Sequence, residues 1–170
     1  MNGRVEKSAS ISDCGRYRYG LERRWDRGAK MLPIIMLNPS TADADIDDPT
    51  IRRCMWFARR ESFGGIAVAN LFAFRATSPA EMMAADDPYG PEGSEAIEQL
   101  LSAAAYHDVP VLAAWGARGS YRGRDKMVII SAKGAGVRLV CLGTTKDGHP
   151  IHPLYRPSDQ PFLAFAGEAA

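Results

Sequence analysis

Four short runs of consecutive apolar residues constrain the fold of this 170-residue chain more than any other feature. They are MLPIIML at 31–37, IAVANL at 66–71, VPVLAAW at 109–115 and VRLVCL at 137–142. The runs are continuous and do not alternate with polar residues, which is typical of strands buried on both faces of a parallel sheet. Since each run ends in polar or turn-forming residues, we expect four short buried strands.

The stretches between these runs have the features of helices. Asp47-Asp48-Pro49-Thr50 has the acidic residues and the early proline of a helix start, and apolar residues recur at helical spacing until Phe63-Gly64-Gly65. Residues 91–106 carry one apolar stripe, and residues 121–133 are a third candidate. Ser78-Pro79-Ala80-Glu81 resembles a further helix start. Strands and helices alternate, which predicts a layered α/β domain.

The region before the first apolar run has the pattern of an antiparallel hairpin. Residues 11–14 and 17–25 are its two predicted strands, joined through Gly15-Arg16. The chain contains no internal repeat, low-complexity segment or linker, which predicts one domain over residues 1–170. Residues 1–10 are expected to be flexible.

The overall charge is balanced, but its distribution is uneven. Twenty-one basic and 20 acidic residues give a formal net charge of +1, so nucleic-acid binding would have to come from local patches. Basic residues crowd the first 60 positions on either side of an acidic run; they are Arg16, Arg18, Arg23, Arg24, Arg27, Lys30, Arg52, Arg53, Arg59 and Arg60, and the acidic residues are Asp43, Asp45, Asp47 and Asp48. This pattern indicates either a solvated surface or an edge that faces a polyanion.

Cysteine usage and hydropathy indicate the cellular compartment. The three cysteines, Cys14, Cys54 and Cys141, form no CxxC element, which argues against a disulfide framework and against a cysteine metal site. No apolar run is long enough for a transmembrane helix, and residues 1–10 lack the apolar stretch of a signal peptide. The sequence therefore predicts a cytoplasmic protein with no membrane partner, and it leaves the oligomeric state open.

Ligands of layered α/β folds bind beyond the carboxyl ends of the strands, because loops and helix N-termini meet there. The first such loop, Asn38-Pro39-Ser40-Thr41-Ala42-Asp43, leads into the first helix. Its backbone N–H groups suit an anion or a carbonyl oxygen, and Asn38 can orient a water molecule or the edge of a heterocycle. Alternatively, Asn38 satisfies turn amides, and Asp47 or Asp48 caps the helix.

The acidic end of this loop also suits a metal ion. Carboxylates at residues 43–48 could supply oxygen ligands to Mg²⁺ or Ca²⁺. The run follows no recognised metal-binding pattern, so neither a metal nor a cofactor is predicted. A metal-assisted hydrolase that uses residues 43–48 stays open as an alternative.

The loop after the second apolar run carries one amide, two aromatic side chains and a cation. Asn70 stands near the end of a buried strand, where its amide needs a partner from the core or from a ligand. Phe72 and Phe74 could offer aromatic faces to a planar ligand, or they could belong to the core. Arg75 could reach an anion.

The loop after the fourth apolar run contains two histidines, each followed by a proline. The prolines disfavour a helix, so His149 and His152 do not share a helical face and a zinc pair is weakly indicated. A loop histidine can donate to an oxyanion or transfer a proton near neutral pH, here with Lys146 and Tyr155 nearby. It can also be an exposed residue with no function.

Together these segments resemble the family of domain of unknown function (DUF) 1643, which is mostly bacterial. The residues that carry the resemblance are 12–19, 36–43, 48–50, 70–75 and 148–155, so it extends over nearly the whole chain. The family label implies no activity.

Shorter motifs resemble those of uracil-DNA glycosylases. Asn38-Pro39-Ser40 is similar to the Asn-Pro-Gly motif of the mismatch-specific enzymes, whose Asn positions the attacking water. Residues 68–75 look like the Thr-Asn-Val-Val-Lys-Cys-Arg stretch of the thermophile-type enzymes, where the Asn reads the pyrimidine. His152-Pro153-Leu154 resembles the His-Pro-Ser motif that stabilises the departing base. The chain departs from these patterns at Ser40 and in lacking the iron–sulfur cysteines.

This second resemblance implies a three-layer α/β/α domain with a mainly parallel four-stranded sheet, to which the N-terminal β-hairpin is added. It also implies hydrolysis of the N-glycosidic bond of a nucleobase in DNA, a nucleoside or a nucleotide. Asn38 would position water, Asn70 would read the base edge, and His152 would donate to the departing base, with His149 as a weaker candidate. If duplex DNA is the substrate, the base must be flipped out of the helix.

The sequence thus nominates two sets of residues. The candidate catalytic residues are Asn38, Asp43 and His152. The candidate ligand-binding residues are Pro39, Ser40, Thr41, Asn70, Phe72, Phe74, Arg75, Lys146, His149 and Tyr155. The expected partner is a nucleobase-containing small molecule or a nucleic acid, and a non-catalytic module that binds a nucleotide or nucleic acid through the same loops is the alternative.

Overall fold

The computed structural model describes residues 4–165, and its regular elements alternate along most of the chain. In chain order they are β1 (Glu6–Ile11), β2 (Arg18–Arg24), β3 (Met31–Met36), α1 (Pro49–Arg60), β4 (Gly65–Asn70), α2 (Pro79–Ala84), α3 (Gly93–His107), β5 (Val111–Ala113), α4 (Arg124–Gly134), β6 (Leu139–Cys141) and β7 (Leu163–Ala164). Two 3₁₀ segments, Ala117–Gly123 and Pro153–Tyr155, precede α4 and β7. The predicted α/β class is confirmed.

The strands form one mixed sheet in the order β1-β2-β4-β3-β5-β6-β7. The four apolar runs became β3, β4, β5 and β6, which are neighbours and run parallel to one another. Strands β1, β2 and β7 join at the two edges as antiparallel strands. The prediction of a mainly parallel four-stranded sheet therefore gives way to a seven-stranded mixed sheet. Edge strands are exposed on at least one side and need no continuous apolar run, so this pattern could not reveal β7.

Helices cover both faces of the central strands. On one face, Leu32 and Ile34 of β3 pack with Ile51 and Phe57 of α1. On the other face, Ile35 shares a core with residues of α3 and α4. Successive residues of a strand point to opposite faces, so each apolar run supplies both cores. That division explains why the runs are continuously apolar.

The N-terminal hairpin differs from its predicted boundaries. Strand β1 ends where the first predicted strand begins, and the turn to β2 occupies residues 12–17. Glu6 lies opposite Arg24 in the antiparallel pair and accepts two hydrogen bonds from Arg27. Residues 6–10 therefore belong to the sheet, which corrects the expectation of a flexible segment there. Residues 1–3 lie outside the described part of the chain.

Both predicted helix starts are confirmed. Asp48 accepts a hydrogen bond from the Ile51 N–H at 2.8 Å, and Pro49 occupies the first turn of α1. Ser78 accepts from the Glu81 N–H at 3.3 Å at the start of α2. None of the helices in the described residues is long and apolar enough to cross a membrane.

Candidate functional site at the carboxyl ends of β3 and β4

The two central strands β3 and β4 end side by side, and their loops leave the sheet together. Met36 lies opposite Asn70, and the Leu71 N–H donates to the Met36 carbonyl at 2.8 Å. Farther out, the Ala76 N–H donates to the Pro39 carbonyl at 3.0 Å. The loops after β3 and β4 are thus fastened to each other, as expected for loops that meet at one edge of a parallel sheet.

Asn70 is buried at the end of β4, with 5% of its surface exposed. Ile66 and Val68, on the same side of the strand, belong to the core beneath α1, so Asn70 also faces α1. Among the described residues its side-chain amide makes no hydrogen bond, and its atoms are not among the fully buried polar atoms that lack a partner. An amide at this position can pair with water or with a ligand.

Asn38 has a divided role at the end of β3. Its Nδ2 donates to the carbonyl oxygens of Pro39 at 3.1 Å and of Ala76 at 3.0 Å, so the amide nitrogen holds the two loops together. Its Oδ1 has no partner among the described residues and can still accept a hydrogen bond. The amide nitrogen of Asn38 therefore serves the turn, whereas its oxygen is available to orient a water molecule.

His152 immediately precedes the 3₁₀ turn Pro153–Tyr155, which packs against α1. Its Nδ1 accepts a hydrogen bond from the Leu154 N–H at 3.2 Å. Burial lowers the pKa of His152, and the carboxylate of Asp48 at the start of α1 offsets part of that shift. The neutral imidazole consequently carries its proton on Nε2, which is free to donate.

The acidic end of the first loop, residues 43–48, is held together as a structural unit, here called the outer loop. Asp43 Oδ1 accepts from the N–H groups of Asp45 and Ile46 at 2.8 Å each, and these bonds hold the pKa of Asp43 below its usual value. Asp47 pairs with Lys7 at 2.9 Å and with Arg23 at 2.6 Å. In residues 4–165, no group of three or more acidic, histidine or cysteine side chains is arranged to hold a metal ion.

Several basic residues are engaged inside the fold. Arg23 is fully buried, and Arg18 is 3% exposed. Arg53 and Arg60 donate to backbone carbonyls in residues 156–160. Arg59 is exposed and stacks on the ring of Trp25 at 4.1 Å. These five arginines therefore do not form one continuous solvated surface.

Four predicted ligand-binding residues line one open depression of about 460 Å³ beside the inner part of the loop, residues 38–42, here called the inner loop. They are Ser40, Thr41, Phe74 and Arg75, and the other lining residues include Gly15, Arg16 and Glu81. The ring of Phe74 also meets that of Tyr17 edge-on at 6.0 Å. Pro39, just before Ser40, is buried.

The remaining predicted ligand-binding residues lie elsewhere. Phe72 is fully buried in the core between the rings of Tyr89 and Tyr121, so the core interpretation holds and no ligand reaches it. Lys146 is exposed in a turn closed by the Gly148 N–H and the Thr145 carbonyl. Tyr155 is exposed and meets the ring of His152 at 5.6 Å. His149 is half-buried, and only its backbone contributes to that turn.

The structure adds Arg18 to the site, which the sequence had placed only in a general basic region. Its Nη1 donates to the carbonyl of Ala42 at 2.8 Å. Arg18 and Arg23 are five positions apart and would point to opposite faces of a regular strand, yet both reach the first loop. The register shift of the β1–β2 pair at Ser10/Ile11 brings them to one side. No local pattern in the sequence signals this irregularity.

The fold and the site together define an α/β protein in which Asn38 and Asn70 lie at the carboxyl ends of two central parallel strands and the buried Arg18 contacts the loops that follow them. The model of the family described as "Protein of unknown function (DUF1643)" matches residues 18–154, and the chain belongs to this family. No curated protein and no solved structure matches the chain. The comparisons therefore give the resemblance to uracil-DNA glycosylases no support.

Proposed function

We propose that the protein hydrolyses the N-glycosidic bond of a nucleobase-containing compound. The observation that carries the proposal is the amide of Asn70, a residue at the carboxyl end of β4 that is 5% exposed and whose side chain makes no hydrogen bond within the described residues. An amide offers one acceptor and two donors, which match the edge of a base. The uracil-DNA glycosylase-like layout remains part of this proposal, supported by the four adjacent parallel strands and by the order of Asn38, Asn70 and His152 along the chain.

In the proposed reaction, water replaces the base on the sugar. Asn38 Oδ1 accepts a hydrogen bond from the attacking water, whose oxygen forms a bond to the anomeric carbon. The bond from that carbon to the base nitrogen breaks, its electron pair stays on the base, and the proton that the water loses ends on the departing base. Asn70 holds the base edge in position. The reaction then needs a group that stabilises the negative charge developing on the departing base.

His152 is suited to stabilise that charge. Its Nδ1 is already engaged by the Leu154 N–H, so a neutral imidazole presents Nε2–H to the base. The lowered pKa of His152 keeps the ring neutral at pH 7. Asp43 has a bracing role in the outer loop, and the proposed reaction assigns it no proton transfer.

The test is release of free base, measured by chromatography, from a panel of nucleosides, nucleoside monophosphates and oligonucleotides. We expect His152→Ala to lower release about 100- to 1000-fold, as for loss of one preorganised donor. Asn38→Ala should also lower release, because the water loses its acceptor. His149→Ala is the matched control, since His149 also precedes a proline in the same loop and should leave release unchanged.

Equal rates for His152→Ala and the wild type would refute the assignment. Binding of the panel without release by the wild type would instead favour the non-catalytic binding module. The metal-assisted hydrolase gains no support from the outer loop, because its carboxylates brace the loop, pair with Lys7 and Arg23, or cap α1.

A further inference from the structure

Arg18 is a buried cation whose hydrogen bonds are largely unmade. Only its Nη1 donates to a described residue, the carbonyl of Ala42, although a guanidinium has five N–H donors. Its Nε is buried and has no partner within residues 4–165. Burial lowers the pKa of Arg18 to about 10, so the guanidinium is still charged at pH 7. A buried charge of this kind needs a counter-charge with hydrogen-bond acceptors.

The carboxylates around Arg18 are engaged elsewhere. None of them forms an ion pair with Arg18 within the described part of the chain. Asp48 caps α1, Asp47 pairs with Lys7 and Arg23, and Asp43 accepts from two backbone N–H groups. These carboxylates thus act on Arg18 through their charge at a distance, and none of them pairs with it directly.

A second cation lies beside Arg18. Arg75 is close enough for its charge to lower the pKa of Arg18. One nitrogen of Arg75 donates to the carbonyl of Gly15 at 3.2 Å, and the side chain lines the depression next to the hydroxyls of Ser40 and Thr41. Two like charges held together on a protein surface favour an anion between them.

Arg18 contacts the two segments that lead into this depression. Its backbone N–H donates to the carbonyl of Ala73, and its guanidinium donates to the carbonyl of Ala42. Ala42 follows Thr41 and Ala73 precedes Phe74, and both Thr41 and Phe74 line the depression. The inner loop also joins Ser40 to Asn38, so it connects the depression with the proposed base site.

We propose that Arg18 and Arg75 bind the terminal phosphate of the substrate, so that the substrate class is a nucleoside monophosphate. The nucleoside part of this inference rests on the proposed function. A terminal phosphate offers three oxygens to the Arg18 donors, and the hydroxyls of Ser40 and Thr41 can donate to the same group. A phosphodiester continues into the nucleic-acid chain on both sides, whereas Arg18 as a whole residue is only 3% exposed. That burial favours a group that ends at the site.

The test is calorimetric titration with inorganic phosphate, nucleoside 5′-monophosphates and the matching nucleosides. We expect saturable phosphate binding to the wild type, tighter binding of a monophosphate than of its nucleoside, and at least about a tenfold loss of phosphate affinity in Arg18→Met. Arg75→Gln should show a loss in the same direction, and it decides the matter if Arg18→Met does not fold. Arg27→Gln, which removes an exposed cation paired with Glu6, should bind phosphate like the wild type.

Unchanged phosphate affinity in Arg75→Gln together with Arg18→Met, or no phosphate binding by the wild type, would overturn the proposal. Competition against phosphate by an unphosphorylated oligonucleotide, as strong as that by a monophosphate, would also overturn it. Phosphate binding that requires these arginines, without base release from any compound, would uphold the anion site and refute the hydrolase. Base release that is equal for nucleosides and monophosphates in the wild type and both variants would refute the anion site and uphold the hydrolase.

Discussion

Arg18 and Arg23 are buried on the same strand and reach the same loop, but their surroundings differ. Arg23 donates hydrogen bonds from all three of its nitrogens, to the Asp47 carboxylate and to the carbonyls of Ser8, Glu22, Asp43 and Ile46. The guanidinium of Arg18 makes one hydrogen bond within the described residues, to the carbonyl of Ala42. Arg23 holds the outer loop, whereas Arg18 lies beneath the inner loop.

The difference separates Arg23, a cation with a structural role, from Arg18, for which we propose ligand binding. A buried charge stabilises a fold only when its partners repay the loss of hydration, as those of Arg23 do. Arg18 lies in the electrostatic field of nearby carboxylates, but none of those in the described residues pairs with it directly. The unpartnered Nε of Arg18 is the ground on which the anion site is proposed.

The largest effect is expected from Arg23→Met. Five hydrogen bonds and the ion pair with Asp47 are lost together, and Asp47 and four carbonyl groups lose a donor. We expect the free energy of unfolding to fall by about 3–5 kcal/mol, as for removal of one partner of a buried pair. Urea denaturation measures it, with Arg27→Met as the surface control. A loss no larger than that of the control would remove the structural role of Arg23.

A much smaller effect is expected from Arg18→Met in the absence of ligand. Methionine replaces a buried, poorly partnered charge by an apolar side chain, so the free energy of unfolding should stay within about 1 kcal/mol of the wild type or rise. The measurement is the same urea denaturation without phosphate. A loss comparable with that of Arg23→Met would make the two arginines equivalent and contradict the comparison.

The smallest effect is expected from pH. The pKa of His152 is lowered in the folded protein below its ordinary value of 6.5. The unfolded chain therefore binds more protons just below that value, so the free energy of unfolding should fall as the pH decreases through 6.5. Denaturation from about pH 7.5 to 5.5 should show a weaker pH dependence in His152→Gln than in the wild type or in His149→Gln. An equal slope in all three proteins would contradict this assignment.

Sequence pattern predicted the central elements well because their residues are selected by burial on both sides. The four apolar runs correspond to β3, β4, β5 and β6, and the helix starts at Asp48 and Ser78 use the expected caps. The edges were predicted less well. The exposed β1 began earlier than its predicted strand, and the two-residue β7 carries no pattern at all.

For the site, sequence order indicated which loops to examine but not how each side chain is used. His152 uses only its Nδ1 in hydrogen bonds within the described residues, and Phe72 is a core residue. Asp43 braces a turn through one of its two carboxylate oxygens. Such choices depend on hydrogen bonds between residues far apart in the chain, for example from Asn38 to the carbonyl of Ala76.

The sequence by itself determined the α/β class, the four central strands and the edge of the sheet where the polar loops meet, because hydrophobic periodicity and helix capping are local properties. Only the tertiary structure decided which buried polar groups are satisfied. Arg18 and Arg23 look alike in the sequence. The register shift in the β1–β2 pair brings both to one face, and the outer loop then supplies partners to Arg23 alone. Whether a buried charge has partners is a property of packing between distant segments, and that property distinguishes Arg18 from Arg23.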